Sequence, residues 1–314
     1  MNKGEYQKTY KRKVPVEPFQ PSSLSVEDGA SVSVEPSKSQ LRRVIEGTLF
    51  VAVWMVIGYA LSLNADTYLL VGIPITIIFQ IFVARKPLRG LWVRVAPSMK
   101  LESLKKGALA VSAVFALFNL IFLFFDVVSG NWEAALYELV AVLASVPLAY
   151  SLSYVSRKTA KPLLMCFATA GLIGAGTFLV EYWIRLNLVH TVASVTLENF
   201  LLVAVVSFTQ YLPVVFLLEE VWFRGAFDSH VYHAGEQRPY ATALYVSLLW
   251  GAWHFPTTYV PSDGLTVGLA ILGELLAFQG ATGFFLSLYW RKSGNLIVSG
   301  SVHAFIDSMR NGLG

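Results

Sequence analysis

The stretch Leu217-Leu218-Glu219-Glu220-Val221-Trp222-Phe223-Arg224-Gly225 sets two carboxylates and a guanidinium at the end of a long apolar run. Ionisable side chains at the margin of a hydrocarbon-compatible segment are costly, and they persist where they pair, reach water or do chemistry. Two histidines recur downstream in the same setting. His254 follows Leu248-Leu249-Trp250-Gly251-Ala252-Trp253, and His303 stands four residues before Asp307 in Ser301-Val302-His303-Ala304-Phe305-Ile306-Asp307. Three polar clusters in three separate apolar segments predict one buried site assembled from three helices.

The surrounding composition agrees with that reading. Of 314 residues, 55% are hydrophobic and only 14% charged, against roughly 25% charged in a soluble domain. With a mean hydropathy of +0.57, the chain is expected to be an all-α, polytopic transmembrane bundle. Its net charge of +4 does not argue for nucleic acid, because the basic residues lie in loops between apolar segments, where they act as orientation signals. The one cysteine, Cys166, lies in an apolar run and reads as a small buried hydrophobe.

Residues 1–41, rich in Ser, Pro, Glu and Lys, read as a disordered cytoplasmic tail. Apolar segments follow near 44–63, 68–84, 107–125, 134–155, 163–181, 198–221, 240–256, 265–290 and 294–311. Most are long enough to cross about 30 Å of hydrocarbon, which gives about eight or nine spans. The first two, with the basic loop to 106, form an N-terminal addition (42–106) to a core at 107–314. Gly171, Gly174, Gly176, Gly280 and Gly283 would permit close helix packing.

Lys and Arg gather in alternate connections: the tail, 85–106, 157–161, 224–238 and Arg291-Lys292. The loops at 64–67, 126–133 and 257–263 carry none, and Arg185 is the exception. This alternation places the N-terminus in the cytoplasm. A difficulty follows if 198–221 is one continuous helix. Glu219 then falls near its cytoplasmic end, while His254 lies about 24 Å deeper if its helix starts near Arg238. The two can meet only if one of these segments is broken or displaced. The expected resolution puts part of 226–245 outside the bilayer core, with the site in a water-filled cavity open to the cytoplasm.

Within the first cluster, Glu220 and Arg224 are four apart and share a helix face, so an ion pair is expected there. Glu219 then remains the freer carboxylate, suited to act as a general base on water. The alternative is that both glutamates cap the membrane interface beside Arg224. His254, taken alone in an apolar helix, reads first as a hydrogen-bonded structural residue and only then as a catalyst. Asp307 could orient His303 and fix its tautomer, the pair could polarise an oxyanion, or the two could simply hold helices together. Glu274 and Gln279 also interrupt an apolar segment. No His-Glu-x-x-His motif and no Gly-x-Ser-x-Gly elbow occurs. What is left is glutamate, histidines and a water nucleophile.

These residues carry a resemblance to the CPBP intramembrane proteases, a family that includes the type II CAAX prenyl endopeptidases and many bacterial Abi-type membrane proteins. Its pattern is Glu-Glu-x-x-x-Arg, then Phe-x-x-x-His, then His-x-x-x-Asn/Asp. Here these are Glu219-Glu220-Val221-Trp222-Phe223-Arg224, then Trp250-Gly251-Ala252-Trp253-His254 with tryptophan in place of phenylalanine, then His303-Ala304-Phe305-Ile306-Asp307. The resemblance covers roughly 107–311. It implies an intramembrane endopeptidase in which Glu219 and His254 activate water, His303 and Asp307 stabilise the oxyanion, and Glu220 and Arg224 support them. No cofactor is expected; zinc held by Glu219, His254 and His303 is the alternative. The substrate would be a membrane-associated protein or peptide, and the family's distribution implies a bacterial plasma membrane. Two other readings stay open. One is a non-proteolytic scaffold or immunity protein on the same fold. The other is a proton-coupled transporter, weakened by the lack of inverted repeats.

Overall fold

A computed structural model describes residues 39–94, 104–189, 195–232, 238–260, 262 and 264–314. The tail expected at 1–41 lies outside the described residues except for its last three. Among the described residues ten longer helical elements follow in order, besides single turns at Leu88–Leu91 and Phe255–Thr258. They are α1 (Gln40–Ala60), α2 (Ala65–Val83), α3 (Lys106–Ser129), α4 (Trp132–Ser153) and α5 (Arg157–Leu188). Then come α6 (Leu197–Val214), α7 (219–231), α8 (Pro239–Trp253), α9 (Leu265–Ser293) and α10 (Ile297–Leu313). Among the described residues no strand forms; a single antiparallel bridge joins Val93 to Asn295.

Local chemistry explains the ends. Asn64 accepts from the Thr67 amide at 2.9 Å to start α2, and Asn131 caps α4 in the same way. Gly130 (φ 76°) and Gly294 (φ 63°) end α3 and α9 in the left-handed region, where a side chain would be strained.

Seven helices, α1 to α6 and α9, are long and apolar enough to cross a membrane. Leu49, Leu117, Phe124, Phe125, Leu172 and Leu202 stand exposed along them. An apolar exterior on segments of spanning length marks an integral membrane protein. The remaining three, α7, α8 and α10, carry the polar clusters. Val221 to Asp228 of α7 are all buried, as is most of α10. The site helices are therefore an inner layer: α9 packs along α8, α6 packs along α10, and α3 pairs with α4 on the outside.

One boundary differs from the sequence reading and removes the difficulty over depth. The segment expected at 198–221 is not one helix. α6 ends at Val214, a turn covers 215–218, and the chain resumes helix at Glu219 and continues to Val231. Pro213 sits at the break. It has no N–H to give the Thr209 carbonyl four residues back, and that carbonyl instead accepts from Asn119 Nδ2 of α3 at 3.4 Å. Glu219 thus stands at a break inside the protein rather than at the end of a span, level with the C-terminal end of α8.

The small residues divide in their effect. A Cβ on Gly174 would come within 2.7 Å of Ile306, and one on Gly283 within 2.7 Å of Trp250 and 2.9 Å of Arg224. One on Gly280 would lie 2.9 Å from Leu248, and one on Gly171 would make only ordinary contact with Val302. Gly176 has nothing within 4 Å and permits no close approach, because it faces away from the neighbouring helices. Cys166 is buried in the core.

Candidate active site

The break before α7, the C-terminal end of α8 and the middle of α10 meet at one place. Glu219 Oε2 is the meeting point. Trp250 Nε1 donates to it at 2.9 Å, His254 Nε2 stands 3.4 Å away and His303 Nε2 3.9 Å away. The His254 imidazole is fixed from behind. Its Nδ1 lies 2.9 Å from the Trp250 carbonyl one helical turn back, and a carbonyl only accepts, so Nδ1 carries the proton. Nε2 is the ring nitrogen turned toward Glu219.

Glu220 faces the other way, as a 100° step per residue requires. Its Oε1 lies 3.1 Å from Arg224 Nη1 and 3.2 Å from His303 Nδ1, and both the Glu220 and Arg224 side chains have no solvent exposure. A buried carboxylate and guanidinium must be paired to be tolerated. Arg224 also donates to the Gly283 carbonyl at 3.3 Å and stacks 4.5 Å from the Trp250 ring centroid. Gly283 is what lets that side chain through.

His303 is held by carboxylates on both sides: Glu220 at Nδ1, and Asp307 Oδ2 at 3.4 Å from Nε2. Both ring nitrogens are placed to donate. Asp307 is also 3.6 Å from Arg310 Nη1. All six residues singled out from the sequence (Glu219, Glu220, Arg224, His254, His303 and Asp307) are in this one network. Glu219, His254 and His303, the residues that would hold zinc if it bound here, bring His254 Nε2 and His303 Nε2 within 3.4 and 3.9 Å of one carboxylate oxygen.

A cavity of about 190 Å³ adjoins the cluster at His254, with Thr258, Glu274, Gln279, Ile306 and Arg310 among its walls. Glu274 and Gln279, the two polar residues inside an apolar segment, are thereby accounted for as cavity wall. Its walls come from the later part of α5 (Gly174 to Glu181), the middle of α9 (Glu274 to Thr282) and the later part of α10 (Ile306, Arg310). The α5 and α10 walls belong to the halves of those helices farther from the Arg157–Lys161 and Arg291-Lys292 connections.

One contributor escaped the sequence reading. Trp250 registers in a sequence as apolar bulk, yet its indole N–H donates to Glu219 at 2.9 Å.

Residues 198–309 match the family model of type II CAAX prenyl endopeptidase Rce1-like proteins. The matched stretch holds all three polar clusters and gives this part of the chain a CAAX-type intramembrane protease fold. It is narrower than the 107–311 of the motif-based resemblance, so α3 to α5 lie outside it. No curated protein and no solved structure matches the chain.

Proposed function

We propose, taking the Rce1-like domain at residues 198–309 as the premise, that the protein is an intramembrane endopeptidase in which Glu219 is the general base. The observation that carries this is the facing of Glu219 Oε2 and His254 Nε2 at 3.4 Å. Both are acceptors in the tautomer fixed by Trp250. A water donating one O–H to each would satisfy both and point its own lone pair outward, toward a peptide carbonyl.

In the reaction, Glu219 takes a proton from that water and the hydroxide oxygen bonds to the carbonyl carbon. The carbonyl oxygen becomes an oxyanion, for which His303 Nε2 is the nearest placed donor, with Asp307 and Glu220 holding its ring. Protonated Glu219 then delivers its proton to the departing nitrogen, the C–N bond breaks, and the products are a carboxylate and an amine. Were zinc bound, Glu219, His254 and His303 would hold it, and it would supply Lewis-acid activation of the same water.

The substrate is a membrane-associated protein or peptide, and the cavity beside His254 is its approach. The alternation of Lys and Arg supports a cytoplasmic N-terminus. With that orientation, the cavity's α5 and α10 walls, in the halves farther from the basic connections, support approach from the side of the membrane away from the cytoplasm. We retain a bacterial plasma membrane as the setting.

The test is cleavage of a membrane-tethered peptide library by purified protein in lipid, comparing wild type with Glu219→Ala and His254→Ala, each with and without a chelator. Product from wild type alone, insensitive to chelator, is the expected result. Loss of wild-type product on chelation would return zinc to the mechanism. Equal background from three folded proteins would transfer the assignment to a non-proteolytic scaffold.

A further inference from the structure

The end of the bundle remote from the cavity holds a second polar assembly, built where α7 terminates. The carbonyls of Ser229 and His230 point out of that helix end. Lys86 Nζ meets the first at 2.7 Å and Arg43 Nη1 the second at 3.3 Å. Arg94 closes the group: its guanidinium stacks 5.0 Å from the Trp290 ring, whose Nε1 in turn donates to Ser229 Oγ at 3.1 Å. Two cations, Arg43 from the first turn of α1 and Lys86 from the connection after α2, therefore meet adjacent carbonyls, and Arg94 from that same connection stands beside them on Trp290.

Cations at a helix C-terminus are stabilising, but capping uses only a fraction of these donors. The acids nearby are already engaged. Asp228 receives Arg291 through both oxygens, at 2.6–3.1 Å, and Glu46 is bound by His230 at 2.8 Å and Arg42 at 3.0 Å. None of Arg43, Lys86 and Arg94 makes an ion pair with a described carboxylate; each bonds only carbonyl oxygens. Arg43 Nε and Arg94 Nη2 are buried and have no hydrogen-bond partner among the described residues. Desolvation, with Arg94 and Arg43 adding like charge, pulls the Lys86 amine down to about 8. Buried guanidinium N–H groups are normally satisfied.

We infer that Arg43, Lys86 and Arg94 form a binding site for a phosphate group at the Ser229–His230 helix end, separate from the Glu219 centre. A phosphate oxygen fits the chemistry because guanidinium forks and an ammonium are the groups that bind it. Two sources carry that group: the headgroup of an anionic phospholipid and soluble phosphate.

The test uses the full chain in nanodiscs of phosphatidylcholine. It is measured alone, with phosphatidylglycerol added, and with inorganic phosphate added instead, reading thermal unfolding. A ligand bound only by the folded protein should raise the midpoint by on the order of 3 °C. The Arg43→Gln/Arg94→Gln variant should lose that rise. Arg157→Gln/Lys158→Gln, which removes two exposed cations elsewhere, should keep it. A rise with phosphatidylglycerol alone assigns the site to lipid, and a rise with inorganic phosphate as well assigns it to the phosphate group from either source. If the double variant fails to fold, Lys86→Gln reads the same effect at smaller size. No rise in wild type, a rise kept by the site variant, or an equal loss in both double variants overturns the inference.

Discussion

Trp250 donates its indole N–H to Glu219 Oε2 at 2.9 Å while its ring lies under Arg224 at 4.5 Å. One side chain thus touches both carboxylate systems: the base directly, and Glu220 through its guanidinium partner. The two contacts can be separated. Trp250→Phe removes the N–H and keeps an aromatic face, so the fold should hold and kcat should fall about tenfold with little change in KM, the value of one hydrogen bond to a charged group. Trp250→Leu removes both and should lower thermal stability as well. Steady-state cleavage and unfolding of the two variants check the split.

Breaking the Glu220–Arg224 pair from one side should be far worse than removing it whole. Arg224→Met leaves a fully buried carboxylate without its cation and should cost about 3–5 kcal/mol. Glu220→Gln together with Arg224→Met should recover part of that loss. Unfolding of the single and double variants in lipid measures it; a double variant less stable than Arg224→Met contradicts the prediction.

Two glycines should respond in opposite directions. A Cβ on Gly225 collides with the Leu91 backbone carbonyl, which cannot move aside as a flexible side chain can. Gly225→Ala should therefore cost about 1–3 kcal/mol. Gly176 has open space, so Gly176→Ala should be neutral or stabilising by up to about 1 kcal/mol through helix propensity. Thermal midpoints of the purified variants distinguish them.

Most of the helical order was legible, because the apolar segments are long and their polar interruptions few. The three clusters were legible as a single site for the same reason: Glu219, His254 and His303 had no cheaper explanation in hydrocarbon than each other. The break after Val214 was not. Leu217 and Leu218 before Glu219, and Val221, Trp222 and Phe223 after it, give no polar signal where one helix stops and another starts. Only Pro213 marked the place, and its consequence depends on Asn119, ninety residues earlier in the chain. The Asp228–Arg291 pair was hidden for a similar reason, since its partners lie on different helices and no local period relates them.

Lys86 should react as an unusual lysine. With its amine near 8, about half is neutral at pH 8, against on the order of 0.3% for an ordinary lysine. The depressed value favours the neutral, nucleophilic form, so acylation at pH 8 should reach Lys86 ahead of Lys158 and Lys161. Peptide mapping after brief treatment with an acylating reagent checks the order. Phosphatidylglycerol should slow the Lys86 reaction selectively if the headgroup occupies the site.

The side from which the cavity is reached can be read by labelling. The single native cysteine, Cys166, is buried and gives little background. A membrane-impermeant maleimide applied to intact cells should label Thr258→Cys, at the cavity wall, and leave Lys158→Cys untouched. The reverse pattern would place the cavity on the cytoplasmic side and withdraw the proposed direction of approach.

Within α7, Val221 to Asp228 runs as π-helix, the wider coil in which amides reach back five residues rather than four. That stretch separates Glu219 and Glu220 at one end from Asp228, the partner of Arg291, at the other. An extra residue accommodated in the coil sets the angular phase between the two ends. Loss of a single codon here can be taken up by tightening to ordinary helix, which leaves the two ends close to their present phase, whereas the same loss from the α-helical turns of α8 or α10 would rotate everything beyond it by about 100°. Among the helices that carry the site, this stretch is therefore where a change of length, and not only of residue, can be absorbed.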